Sequence, residues 1–305
     1  MKQSSLDLNL SNNRARKREL LFEMDHVVPW TAQVELIVPN CPVGKNGTPP
    51  FALETMLLVH FMQQWFTLSD PVMQEAFFDI PLCRELAKLD AHGRLPDEST
   101  ILRFRHRLEE HKLAEQILAT VNELLTSKGL LLKVGKAVHA ALIAAPTSTN
   151  NKDKARDPEM YSCKKGNQWY FGMKAHIGVD ADSGLVHTVR RTAGHVHDIN
   201  EGNALLHGKE SMVFADAGYQ GIDKRPGKRK ALDKSNADDA MLDEAEKLKA
   251  DFRAKVEHPF RVIKRQFGHV KVRYRGLKKN TQQLMTLFAL SNLWMVRSSL
   301  VGAGA

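Results

Sequence analysis

The feature that most constrains the fold is a change of hydrophobic period near residue 135. Before it, Leu53, Leu57, Leu58, Phe61, Met62, Trp65 and Phe66 recur at helical spacing, and Ser69-Asp70-Pro71 ends that helix and opens another running to Phe78. Pro96-Asp97-Glu98-Ser99-Thr100 opens a third helix, in which Ile101, Phe104 and Leu108 share one side, and residues 114–127 form a fourth that stops at Gly129. After residue 135 the apolar runs are short and bounded by turn residues. Residues 137–144, 170–179 and 185–191 read as strands, the last two joined by the turn Asp180-Ala181-Asp182-Ser183-Gly184. A short helix over 199–207 and a strand over 212–215 follow. This order predicts an α/β protein with an all-helical N-terminal region and a mixed sheet flanked by helices. The boundaries fall as a basic arm over 1–20, a helical region over 21–130 and an α/β domain over 131–305.

Farther on, Lys224-Arg225-Pro226-Gly227-Lys228-Arg229-Lys230 is a basic segment, and a charged helix is expected over 238–256. His258-Pro259 should interrupt that helix, which resumes to Phe267, since proline removes a backbone donor. Residues 271–274 alternate like an edge strand. Residues 281–300 form an apolar helix, read as buried because its most apolar stretch, Leu284 to Val296, is interrupted by Thr286, Ser291 and Asn292 and falls short of the roughly 18 residues a membrane span needs. The net charge of +9 and pI near 9.4 favour a polyanionic partner, nucleic acid first. Cys41, Cys83 and Cys163 are widely spaced, which suggests neither a disulfide framework nor a structural zinc site. A reducing cytoplasm is the expected compartment, and no signal peptide or membrane partner is read.

Candidate chemistry gathers at four places. In residues 211–221, SMVFADAGYQG, Asp216 emerges at a strand end before Gly218 and Gly221, as either a turn residue or a metal ligand. Arg253, Glu257, Arg261 and Lys264 lie at i, i+4, i+8 and i+11, on one side of a helix. They form either a salt-bridged surface or a metal-binding carboxylate among phosphate-holding cations. From Arg261 to Lys279 there are eight Lys/Arg and no Asp/Glu, which favours polyanion binding. Lys164, Lys165, Trp169, Tyr170 and Lys174 interleave cations with aromatics, suiting phosphate contact and base stacking; the alternative is a strand with core aromatics, Phe171 among them. Arg103, Arg105 and Arg107 belong either to a helix-turn-helix DNA reader or to a plain bundle. His195-Val196-His197-Asp198 is a rival metal-ligand motif of hydrolase type, and Asp180 and Asp182 suit a turn. No phosphate-binding glycine loop, dinucleotide fingerprint or nucleophile elbow is present.

These segments resemble one family: the DDE transposases of bacterial insertion sequences, of the insertion-sequence family numbered five. The resemblance spans nearly the whole chain and is carried by PDESTILRFRHRLE, LIAAPTSTNNKDKARDPEM, KKGNQWYFGMKAHIGVDADSGLVH, DAGYQG, KVEHPFRVIKRQFG, KVRYRGLKKN and LFALSNLWM. It implies an RNase H-like catalytic domain holding two Mg²⁺ or Mn²⁺ ions through an Asp, Asp, Glu triad that cleaves and joins DNA. It also implies recognition of terminal inverted repeats and target DNA by a homodimer or larger assembly. By that resemblance the second Asp is Asp216 and the Glu is Glu257, while the flanking Tyr, Arg and Lys fall on Ala250, Arg253 and Lys264. The chain departs from the pattern at Ala250, at His139, which stands where the first Asp belongs, and after DAGYQG, where a segment is shortened. An imidazole offers one nitrogen and suits softer metals than Mg²⁺, so DNA binding is expected to persist and cleavage to be impaired. A non-catalytic DNA-binding derivative is the alternative reading.

Overall fold

The computed structural model describes residues 16–41, 49–90, 93–132, 135–205, 212–215 and 254–302. The helical region contains α1 (Arg16–Val27), α2 (Trp30–Ile37), α3 (Leu53–Phe66), α4 (Asp70–Asp79), α5 (Pro81–Leu86), α6 (Glu98–Glu110) and α7 (Leu113–Ser127). The expected starts hold because side chains satisfy the first free N–H groups. Ser69 Oγ accepts from Val72 N, and Asp97 Oδ1 accepts from Thr100 N at 2.8 Å. Gly129, at φ +70°, follows α7 in the left-handed conformation that suits a helix end.

The sheet contains β1 (Gly135–Ala144), β2 (Tyr161–Lys165), β3 (Gln168–Asp180), β4 (Val186–Ala193) and, after α8 (Ile199–Leu205), β5 (Met212–Ala215). β3 pairs antiparallel with β1, β2 and β4, whereas β1 and β5 run parallel with Val138 opposite Ala215. The mixed sheet is therefore present. The strand β2 was not expected. Its two-residue connection to β3, Gly166-Asn167, is a hairpin dipeptide, and Gly166 takes φ +62° there.

Ala137, Ile143 and Ala145 face the main core, while Val138 packs against Leu205 of α8 on the opposite face. Beyond the sheet, residues 254–261 form α9, continued by a π-helical turn over Val262–Gln266, and α10 spans Leu277–Gly302. Pro259 does not interrupt α9. Lacking an N–H, it cannot donate to the Lys255 carbonyl. Gly184, at φ +72° in the β3–β4 turn, approaches that carbonyl so closely that an added Cβ would stand 3.1 Å from it. Residues 271–274 are not a strand. A single bridge joins Lys271 to Ala144, after which Arg273 turns to the Thr67 carbonyl and Asn280 holds Tyr274 ahead of α10.

Two sequence-level boundaries also shift. Helix α1 begins inside the expected arm, because Leu21, Met24 and Val27 enter the core and Glu23 pairs with Arg297 at 2.8 Å. The helical region and the sheet share one continuous hydrophobic core, since α10 packs on α1, α3 and α7 as well as on β4. By length and composition α10 could cross a membrane, contrary to the shorter run expected. Its residues from Asn280 to Leu293 are nevertheless almost all buried within the protein. Asn292 supplies the polar register of this packing. Its Oδ1 accepts from Val186 N at 2.8 Å, and its Nδ2 donates to Val186 O at 2.7 Å and to Asn122 Oδ1 at 2.9 Å.

Candidate functional site

The site is built around β1. His139 follows Val138, the last β1 residue paired with β5, and Asp216 is the residue after β5; Asp216 itself lies outside the described residues. His139 belongs to the core-facing alternation of β1 and is half-buried. Its ring meets Phe260 of α9 edge-on, with centroids 5.6 Å apart, and Phe260 in turn meets Phe288 of α10 at 5.3 Å. The contact fastens α9 to β1. Glu257, one turn before Phe260, is exposed, and Arg253 lies outside the described residues.

The next turn brings a cation over the same strand. Lys264 Nζ donates to the β1 carbonyl of Leu142 at 3.3 Å and lies 5.7 Å from the Phe260 ring centroid. Burial, and then the neighbouring charge of Lys165, lower its pKa from the ordinary lysine value. Arg261, Arg265 and Lys271 are exposed beside it, whereas Arg275 pairs with Asp153 at 2.7 Å. The cationic run of residues 261–279 is thus divided between surface and tertiary ties.

On the hairpin, Lys164, Lys165 and Trp169 are exposed, with Lys164 opposite Trp169 and Lys165 opposite Gln168. Lys174 is different. It pairs with Asp198 at 2.9 Å and donates to the Val196 carbonyl at 2.8 Å, which ties β3 to the segment after β4. Phe171 packs on the core as its alternative reading expected, beneath the Arg156 guanidinium at 5.5 Å.

In α6, Arg103 is exposed and donates to Ser99 Oγ, while Arg105 is buried with an 8% exposed side chain. Arg105 lies on the same side as Ile101, Phe104 and Leu108, where Asp70 at 2.7 Å and Glu109 at 3.1 Å neutralise it and Tyr274 lies beneath it at 4.5 Å. Both Lys174 and Arg105 are committed to internal partners. The rival His195–Asp198 motif is also dispersed, because Asp198 faces Lys174 and the His195 ring meets that of Tyr161 at a tilt, with centroids 4.2 Å apart. No cluster of three or more His, Cys, Asp or Glu suited to a metal occurs among the described residues.

The acidic end of the ARDPEM segment has a role that sequence reading missed. Asp157 Oδ2 accepts from Gly276 N at 2.6 Å and Glu159 Oε2 from Leu277 N, so the two carboxylates hold the start of α10. The absence of acids in residues 261–279 was the usable signal, since the N–H groups opening α10 need acceptors from elsewhere.

The described residues form a mixed sheet with exposed cations on its β2–β3 hairpin and around the end of α9, a charge distribution that suits a polyanion. The chain belongs to the DDE transposases: the transposase DDE domain matches residues 140–293, half of the chain. A second transposase domain, DUF772, matches residues 9–107 and covers most of the helical region. No solved structure matches the chain.

The family implies a pair of hard divalent cations. Two hard cations need a bridging carboxylate on β1, and the chain offers there an imidazole turned onto Phe260. His139 and the exposed Glu257 do not by themselves supply that bridge, and Asp216 lies outside the described residues.

Proposed function

We propose that this chain is an insertion-sequence transposase that binds the double-stranded terminal inverted repeats of its element, as a homodimer or larger, and is impaired in metal-dependent strand cleavage. The order β4-β3-β1-β5, antiparallel except for the β1–β5 pair, supports an RNase H-like catalytic domain. The observation that carries the DNA reading is the set of exposed cations Lys164 and Lys165 on the hairpin and Arg261 one turn after Glu257, together with Lys264 over β1. Arg103 on α6 and Arg253 ahead of Glu257 are further candidate contacts. DNA as partner makes the cytoplasm the working compartment.

In an intact family site Asp216, Glu257 and a carboxylate at position 139 would hold two Mg²⁺ or Mn²⁺ ions. With His139 the site keeps DNA but lacks its bridging ligand. The packing of His139 on Phe260 favours a second form of the reading, a DNA-binding protein that occupies element ends without cleaving them. The test compares wild type and His139→Asp in a gel shift on the element ends and in a nicking assay with Mg²⁺ or Mn²⁺. Equal binding with cleavage only by His139→Asp is expected. Wild-type nicking at the rate of His139→Asp would refute the impairment. Failure of both proteins to bind would refute the DNA reading.

A further inference from the structure

Trp169 is 67% exposed, more than any other large apolar side chain among the described residues. An indole left in water at a tight hairpin is costly to display, because its large apolar surface gains nothing there from the fold. The hairpin is also well braced. β2 pairs with β3 over five positions, Phe171 packs on the core two residues after Trp169, and Tyr161 at the far end of β2 meets the His195 ring. Trp169 therefore stands on a rigid support.

Its surroundings select the occupant. Lys164 lies directly opposite Trp169, so the two side chains share one face of the hairpin, and Phe171 carries that face back to Arg156. Cations around an aromatic plane suit a ligand with a flat π-face on an anionic backbone. Lys165, paired with Gln168, adds a cation on the other face of the hairpin.

From these contacts we infer that Trp169 is a stacking site for an unpaired nucleobase, so that the hairpin recognises DNA opened at or near its end. Paired bases present their edges in the grooves and hide their faces in the stack. An indole can stack fully only on a base that has left the helix. The inference rests on the DNA-binding reading above and specifies its substrate: duplex DNA with a locally unpaired strand.

The test uses full-length protein in EDTA and two fluorescein-labelled 20-base-pair duplexes of identical sequence. One is fully paired, and the other carries three unpaired thymines at one end. Wild type is expected to bind the opened duplex about tenfold more tightly, within the range that base–aromatic stacking supports. Trp169→Ala should lose that preference while keeping its affinity for the paired duplex, and Trp169→Phe should retain part of it. Lys164→Glu should weaken binding to both duplexes. A 2-aminopurine at the first unpaired position should be quenched by wild type and not by Trp169→Ala. Equal preference in wild type and Trp169→Ala, or no preference in wild type, overturns the stacking site and leaves DNA binding intact. A wild type that binds neither duplex overturns both. Because Trp169 is exposed, circular dichroism should show Trp169→Ala folded as wild type; an unfolded Ala variant leaves Trp169→Phe and the 2-aminopurine signal to decide.

Discussion

Replacing Asn292 by Leu tests whether the three polar contacts of α10 hold the helical region to the sheet. The side chain bridges both backbone groups of Val186 in β4 and the amide of Asn122 in α7, at 2.7–2.9 Å. Leucine is close in size, so the change removes hydrogen bonds without opening a large cavity. Each bond has a net value of about 1 kcal/mol, and each buried group left without a partner costs about 1–3 kcal/mol. Val186 N, Val186 O and Asn122 Oδ1 would all lose their contact with residue 292. Burying the apolar leucine returns about 1–2 kcal/mol. The expected net loss is about 2–4 kcal/mol, which lowers the melting temperature by about 3–6 °C for a chain of this size. Thermal and urea unfolding of Asn292→Leu, Asn122→Ala and the double variant would measure it, with a coupling energy of about 0.5–3 kcal/mol expected from the cycle. A melting point within about 2 °C of wild type, or additive single effects, would refute the bridge.

Arg105→Met should cost about 3–5 kcal/mol, because it leaves Asp70 and Glu109 as partly buried charges without their cation, whereas exposed Arg103→Ala should change stability by under about 0.5 kcal/mol. Chemical denaturation separates the two. Lys174→Met should lower the melting point while leaving duplex affinity within about twofold, as an internal tie to Asp198 requires; a loss of affinity like that of Lys164→Glu would return Lys174 to the interface. His60, His176 and His269 each have a pKa lowered to about 4, chiefly by burial. Their folded values lie below the unfolded value of about 6.5, so their neutral forms support the fold fully above that pH and progressively less down to about 4. Melting temperature should therefore fall between pH 7 and 5, and His176→Gln should reduce the slope by one proton; an unchanged slope would refute that share.

Much of the architecture was legible in the sequence because local chemistry and tertiary packing agree. Ser69 and Asp97 cap the helices they were expected to start, and the Asp180–Gly184 turn joins the strands on either side of it. Legibility failed where a residue's partner is distant in sequence. Arg105 resembled Arg103 and Arg107 in the chain, yet Asp70, Glu109 and Tyr274 converge on it. Lys174 continued the basic pattern of Lys164 and Lys165 until Asp198 claimed it. Pro259 suggested a break, but α9 passes through it with Gly184 against the Lys255 carbonyl. For the candidate site, position 139 and Glu257 could be assigned by motif. Their relation through Phe260 could not, since nothing local in sequence forces that ring onto β1.

The burial of α10 between the two regions also bears on when the chain can fold. Helices α1, α3 and α7 present surfaces that α10 covers, and α1 must wait for a partner more than 250 residues later in synthesis. Contacts of such separation close large loops and form slowly. On the ribosome, the N-terminal helices would leave the exit tunnel with part of their apolar surface still uncovered. Completion of the fold therefore waits for α10 to emerge, and a message interrupted before the α10 codons would yield a chain for proteases rather than a smaller working protein.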